Sequence, residues 1–561
     1  MFRKNTKHRQ SNIFGFTNLV SLKMAKELQE SEEHLPATFI AKRQAGKFYE
    51  LIFCNIKEED FASLYSEIDS RPNVPINCMV SAILLQHRHK LTYEKLFDSI
   101  KFNLLIKTAL GLQTLDEVPF SDTSLFNFQN RLTTYFIESG INLLEKVFDH
   151  LTEKQLKELK IKTDIQRTDS FHATSNIRRY TRLQLLVEML IRIYRVLSEE
   201  DRKQYEEMLS PYVNKTSGQF IYRLETNDIS VELEKIGKVY KEINDRLKQK
   251  YEDLEIFKTF ERIYEEHFTV VEEKIIIKSS EELTSNCIQS PDDIEATYRK
   301  KNNKQFYGQT INIVETCNPD NPINLVTDPP ASPVLMWRAG ISVHANNIDD
   351  SKELTERIDN LKEKNPDLME LHFDGAYGSE DNDAKFDEHL ITPVQTAIRG
   401  VEPSGVEIKI TEVNESAGGG EYLVSCPKQT VEAETTRKRF SEGSFGKAEF
   451  DLSICSTCSL VSGCQLIKNK RAKVYYFTEG EYHKQQRLKS IQKIPKERKG
   501  LRANVEATVS EFTRKMNNRK LKVRGLFKAE VFAFAVGISV NFGRVYRYIS
   551  SQMPSPALTT G

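Results

Sequence analysis

Apolar positions recur along this chain in two rhythms, one of three to four residues and one of two. The places where one rhythm gives way to the other divide it into elements. From about Pro36 to Lys160 the helical rhythm dominates. Cys78–His87 carries an apolar face, Leu91–Phe97 follows a short break, and Leu104–Leu112 continues to a Gly stop. Pro119–Asp122 reads as a turn with an N-cap ahead of a helix over Thr123–Phe136. Ile165–Ala173 is the first stretch with strand character. The helical rhythm then resumes. Leu186, Met189, Leu190, Ile193 and Leu197 form one buried stripe, and Ile229–His267 reads as a helical hairpin.

Strand signals return at Glu295–Lys300 and Phe306–Cys317, and more faintly at Asn324–Thr327 and Gly340–His344. Asp350–Glu363 is helical, Met369–Phe373 is a short buried strand, and Leu390–Gln395 is one more. Pro403–Ile494 is rich in Gly, Ser and charge and shows no obvious core, and a last helical block begins near Gly500. The pattern predicts an α/β fold (α+β overall), with a helical N-terminal region, a helical insertion after the first strand and a second insertion before the final helices.

A chain of 561 residues exceeds one ordinary domain. At 39% hydrophobic and 29% charged it can bury a sizeable core. No secretory pattern follows the basic start MFRKNTKHRQ, the apolar run Val531–Val540 is too short to span a bilayer, and eight cysteines are too few for a disulfide scaffold. These features lead to the expectation of a cytoplasmic, nucleoid-associated protein without a membrane partner. Eighty basic residues balance eighty acidic ones, yet the charges are unevenly placed. Twelve Lys/Arg face three acids between Lys468 and Arg502, and seven face none between Phe512 and Lys528. Acids outnumber bases between Glu199 and Glu282. Clustered Lys/Arg bind phosphates by releasing counterions, so the basic third suggests a polyanion; solvated helix faces are the plainer alternative.

Asp169 lies inside the first strand, with Ser170 and His172 close by. A carboxylate there is unfavourable unless it is ion-paired, hydrogen-bonded or bound to metal. A salt-bridged edge position would also explain it. Asp374 ends a second strand 205 residues later, in the turn Asp-Gly-Ala-Tyr-Gly. In Gly500–Met516 an apolar stripe runs through Leu501, Val505, Val509, Phe512 and Met516. Glu506 borders that stripe one turn after Arg502; Glu511 is its competitor, and a surface pair with Arg502 its simpler explanation. Three carboxylates brought together repel unless cations neutralise them, and hard oxygens suit Mg²⁺.

These stretches carry a resemblance. TDSFHATSNIRRYTRLQLL at Thr168–Leu186, SPDDIEATYRKKNNKQFYGQTINIVET at Ser290–Thr316, HFDGAYGSEDNDAKF at His372–Phe386, LITPVQTAIRG at Leu390–Gly400 and RANVEATVSEFTRK at Arg502–Lys515 resemble bacterial insertion-sequence transposases of the Asp-Asp-Glu (DDE) type. PNVPINCMVSAILLQ resembles the helical segment that opens such proteins. The resemblance implies a ribonuclease H-like core over 161–178, 290–400 and 496–550. Around it would lie a disordered tail to residue 35, a DNA-binding helical domain over 36–160, a helical insertion over 179–289, a Cys-rich insertion over 401–495 and a tail from 551. It implies that Asp169, Asp374 and Glu506 are catalytic and hold two Mg²⁺ ions, for which Mn²⁺ can substitute. It also implies binding of terminal inverted repeats and target double-stranded DNA, and a homodimer in the complex that joins two ends. Arg502, Arg514, Lys515, Arg519 and Arg524 are the expected DNA contacts. The family tends to place a Tyr three before the Arg and a Lys seven after the Glu, where this chain has Lys499 and Thr513. A nuclease of the same fold without strand transfer, and a catalytically silent DNA-binding protein, are the alternative functions.

Cys455-x2-Cys458-x5-Cys464, with Cys426 before Pro427 as a fourth, has the look of a structural zinc site; unligated thiols are the alternative. Cys54, Cys78, Cys287 and Cys317 read as packing residues, and His172 as a neighbour of Asp169 rather than a ligand.

Overall fold

The computed structural model describes residues 2–4, 36–66, 73–327 (apart from 113, 115, 223, 273 and 302), 341–396, 408–414, 421–436 and 445–552. The expected tails, 1–35 and 551–561, lie outside the described residues except for 2–4 and 551–552. The chain divides into two compact units. One comprises Met1–Lys162, Asp169–Ile348 and Glu506–Gly561, and the other Thr163–Thr168 and Asp349–Val505.

In the first unit, helices Pro36–Leu51, Ile76–His89, Tyr93–Phe102, Asp122–Ser139 and Leu143–Glu158 follow one another through capped turns. The Thr92, Ser121 and Asn142 side chains each accept a backbone N–H of the turn they open. Gly140, at φ 70°, ends the helix before it in the left-handed conformation that glycine tolerates. The apolar faces of these helices close on the helix Leu526–Gln552, in which every residue from Phe532 to Gly543 is buried. This helix is long and apolar enough to cross a membrane by length and composition. Its surface is nonetheless covered by protein: Phe48 meets Phe542 edge-on at 5.4 Å, Phe148 meets Phe534 at 5.8 Å, and Phe136 stacks on Phe527 at 4.7 Å. A helix that is apolar all round belongs at the centre of a core.

The insertion after the first strand builds its own apolar cluster. Leu186, Met189, Leu190 and Ile193 of the helix Arg182–Val196 pack with Ile236, Tyr240 and Ile243 of Ile229–Tyr251 and with Phe257 and Phe260 of Glu255–His267. A short antiparallel hairpin, Phe268–Val271 with Lys274–Ile277, follows, which the helical rhythm did not announce.

Strand β1, Ile165–Thr174, is shared between the units. Numbering strands along the chain, the hairpin supplies β2 and β3. The C-terminal half of β1 lies in the first unit, beside β5 (Lys304–Thr316), which pairs antiparallel with β4 (Thr297–Lys301) and then with β6 (Ile341–Ala345). Gly308 lets β5 come close: its φ is +154°, and a Cβ there would stand 2.3 Å from the Ala173 carbonyl oxygen. The N-terminal half of β1 lies in the second unit and runs parallel to β7 (Glu370–Phe373), which runs parallel to β8 (Thr392–Gln395) across the helix Glu380–Glu388. The strand order, with parallel pairs on one side of β1 and antiparallel pairs around β5, is consistent with a ribonuclease H-like mixed sheet, as expected.

The second insertion departs from expectation. It forms a six-stranded antiparallel sheet in the order β13-β14-β12-β11-β10-β9, with β9 at Lys409–Asn414, β10 at Glu421–Ser425, β11 at Thr430–Thr436, β12 at Phe445–Asp451, β13 at Ile467–Lys468 and β14 at Ala472–Thr478. Ile410, Val424, Ala448, Phe450 and Phe477 supply the core that its Gly- and Ser-rich sequence concealed. The helix Glu479–Lys493 begins in a capping box of Thr478 and Glu481 and packs on this sheet, where Gln485 bonds Ile408 and Ile410. The closing helices begin earlier than Gly500 and break at Asn504, giving Lys496–Ala503 and Val505–Thr513.

Candidate active site

Along β1 the burial rises, opens at Asp169 and Ser170, and closes again at Phe171–Ala173. A strand covered on both faces except at one carboxylate and its neighbour is a strand arranged to present that carboxylate. The Ser170 N–H donates to Asp169 Oδ1 at 2.9 Å. His172 is buried in the same strand. Its Nδ1 meets the Thr310 hydroxyl at 2.9 Å, its ring lies 4.7 Å from Phe306, and burial lowers its pKa to about 4. It is a packing neighbour, as the sequence suggested.

Glu506 is exposed in the first turn of Val505–Thr513, where the helix dipole favours an anion. That helix is held from behind. Phe512 is buried against Phe171, and the Thr508 hydroxyl donates to the buried Glu315 of β5 at 2.7 Å. Arg544 donates to Glu315 at 2.7 Å and to Glu511 at 2.8 Å. Glu511, the competitor of Glu506, is thereby committed to a structural ion pair with Arg544 and a weaker one with Arg547 at 3.4 Å. Sequence reading missed this network because Glu315, Thr508 and Arg544 are far apart along the chain.

In the second unit, Asp374 follows β7 directly. Its Oδ1 accepts the Ala376 N–H at 2.8 Å, which fixes the Asp-Gly-Ala-Tyr turn, and Tyr377 is buried beneath it. The Asn382 amide donates to the Tyr377 carbonyl at 2.6 Å. Arg502 approaches Asp374 at 3.6 Å, so the surface pair offered as the simpler explanation of Glu506 is made with the second acid instead. Arg167 donates to the Leu501 carbonyl at 2.6 Å, fixing the turn before Arg502. Arg498 pairs with Glu370, which also holds the fully buried His372 at 2.6 Å.

The other basic candidates divide. Arg514 and Arg519 are exposed. Lys515 donates to the Arg88 carbonyl at 2.9 Å, and burial beside Arg88 and Lys90 lowers its pKa. Arg524 donates to the Asn176 carbonyl at 2.7 Å and stands 3.4 Å from Asp292. Those two charges therefore serve the fold as well. A further group, Asp359, Glu388 and His389, brings three potential ligands within 4.8 Å. There Lys385 already bonds both oxygens of Asp359 at 2.9 Å, so the group reads as an ion-pair cluster. Cys54, Cys78, Cys287 and Cys317 are buried, as expected of packing residues.

Two family models match the chain. A Transposase DDE domain covers residues 425–546, and a Transposase domain (DUF772) covers residues 38–131. Both matches are to transposase domains, and together they support an insertion-sequence transposase of the DDE type. No match was found among curated proteins or solved structures. The first match takes in Glu506, Arg502 and the four cysteines of the second insertion; the other takes in Ile76–His89, Tyr93–Phe102 and parts of Pro36–Leu51 and Asp122–Ser139 among the helices around Leu526–Gln552. The match to a Transposase DDE domain supports a DNA-cleaving enzyme, and a transposase implies DNA as its partner.

Proposed function

We propose that this transposase binds the terminal inverted repeats of its own element and catalyses two-metal-ion strand cleavage and 3′-hydroxyl strand transfer, with Asp169, Asp374 and Glu506 as its catalytic carboxylates. The observation that carries the assignment is the register of β1 on β7. Ile165 faces Glu370 and Arg167 faces His372, an offset of 205 residues, the same as that between Asp169 and Asp374. Glu506 enters as the exposed acid of a braced helix, while Glu511 is held by Arg544.

The donor set fits hard divalent cations: three carboxylates, two half-exposed and one exposed, with no sulfur among them. When bound, two Mg²⁺ or Mn²⁺ ions would stabilise charge on the attacking and leaving oxygens of an in-line displacement. The residues do the positioning. Water attacks the phosphodiester at the element end first, and the freed 3′-hydroxyl then attacks target DNA. No Ser, Tyr or Cys nucleophile is needed. Arg514 and Arg519 reach the phosphate backbone, and Arg502 offsets the charge of Asp374. The helices over 36–160 bind the repeat, and two copies of the chain hold two ends together. The protein works in the cytoplasm, at the nucleoid.

Purified protein mixed with labelled element ends, target plasmid and Mg²⁺ is expected to give joined products. Asp169→Asn, Asp374→Asn and Glu506→Gln should each lower cleavage by on the order of 10³-fold while still shifting end-containing DNA. A variant that keeps wild-type cleavage removes its residue from the assignment. Nicks without joining would point to a nuclease, and a gel shift without cleavage to a silent DNA-binding protein.

A further inference from the structure

Four cysteines of the second insertion surround one small cavity at the end of its antiparallel sheet. Cys426 leaves β10 in a tight turn: its N–H bonds the Gln429 carbonyl at 2.8 Å, and the Gln429 N–H donates back to Cys426 Sγ at 3.3 Å. Cys455, Cys458 and Cys464 lie in the connection from β12 to β13, Cys455 in the short helix Leu452–Ser456 and Cys464 just after the single turn Val461–Gly463. The Cys458 N–H meets the Cys455 carbonyl at 3.4 Å, and the Cys464 N–H meets the Val461 carbonyl at 3.4 Å.

Gln429 ties the two loops together. Its amide donates to Cys455 Sγ at 3.4 Å, and its oxygen accepts the Asp451 N–H at 2.9 Å. The cavity is ≈ 20 Å³, room for a single water-sized occupant. Besides the four thiols, Ile454, Leu460 and Leu466 line it, with Lys428 and Lys473 at its edge.

We propose that Cys426, Cys455, Cys458 and Cys464 bind one structural Zn²⁺. The inference is independent of the carboxylate assignment. Sulfur donors select zinc over the hard cations that carboxylates take, and four protein ligands leave no open position for chemistry. The N–H donated to Cys426 Sγ is the kind of outer contact that orients a thiolate ligand. Lys428 and Lys473 offset the net negative charge of four thiolates around a divalent ion. The sulfurs are more widely spread than a bound tetrahedron, since among the described residues only the Asp359 group brings three ligand atoms within 4.8 Å. Binding would draw the β12–β13 connection onto the Cys426 turn and so close this end of the sheet over Leu466 and Cys455 of its core. The same sheet supports Glu479–Lys493, the helix leading to Arg498 and Arg502.

Full-length protein purified from zinc-supplemented cells without chelator should carry about one zinc per chain, released when a mercurial titrates the thiols. Replacement by Co²⁺ should give the thiolate-to-cobalt charge-transfer bands and strong visible bands of tetrahedral sulfur coordination. Cys464→Ser, on a half-exposed loop, should lose the zinc. Asp169→Asn and Asp374→Asn should keep it, which separates this site from the carboxylates. A wild-type protein with neither zinc nor a cobalt spectrum overturns the proposal, as does a Cys464→Ser protein with undiminished zinc. The wild-type measurements decide the matter even where the variant does not fold.

Discussion

Glu315 is fully buried, and its charge is supported by Arg544 at 2.7 Å and the Thr508 hydroxyl at 2.7 Å. Removing one partner of a buried pair strands the other. Glu315→Ala should therefore destabilise the protein by about 3–5 kcal/mol in chemical denaturation, because the Arg544 guanidinium stays buried. Glu511→Gln, at a more exposed carboxylate, should lower stability by less than half as much. Equal losses would mean that Arg544 depends on both acids alike. Buried histidines set a second expectation at this scale. Burial holds His87, His89 and His172 at about 4, and His267 at about 3, against an ordinary 6.5. All four are neutral in the fold and take up protons on unfolding, so their contribution is full above pH 6.5 and drains as the pH falls toward 4, and toward 3 for His267. The melting temperature should fall over that window, and His267→Leu should flatten the slope. Parallel curves for the variant and the parent would show that His267 titrates normally.

Among the elements, β5 rests on a single glycine. Gly308→Ala would drive a methyl against the backbone at Ala173, in β1, and Ser175, just beyond it, which cannot move aside as a side chain can. It should lower the melting temperature by several degrees or prevent folding, whereas Gly500→Ala, in open space on a helix, should be neutral or slightly stabilising. Helices and core strands were legible because each carries its own rhythm: the stripe of Arg182–Val196 and the Asp169 strand lie close to their expected bounds. The antiparallel sheet of the second insertion was not. Strands such as TVEAETT pack through Val431 and Ala433, with acids and threonines between, and their core forms only when all six lie side by side. The break at Asn504 escaped for a related reason. The apolar stripe from Leu501 to Met516 continues across it, so the pattern alone read one helix where there are two.

For the whole molecule, the three acids stood out because each sits in a motif or beside a stripe, while the groups that brace them did not. Arg502 reaches Asp374 across 128 residues of sequence, and Arg544 reaches Glu315 across 229. No local pattern encodes such partners. The helix Leu526–Gln552 has a consequence for the element's history. It fills the middle of the N-terminal helical bundle although it is the last described segment of the chain. A copy of the gene with a premature stop before Leu526 would leave those early helices around a hollow. Decayed copies of that kind should yield insoluble remnants and not small folded fragments that compete with the intact protein, leaving it without that route to self-restraint.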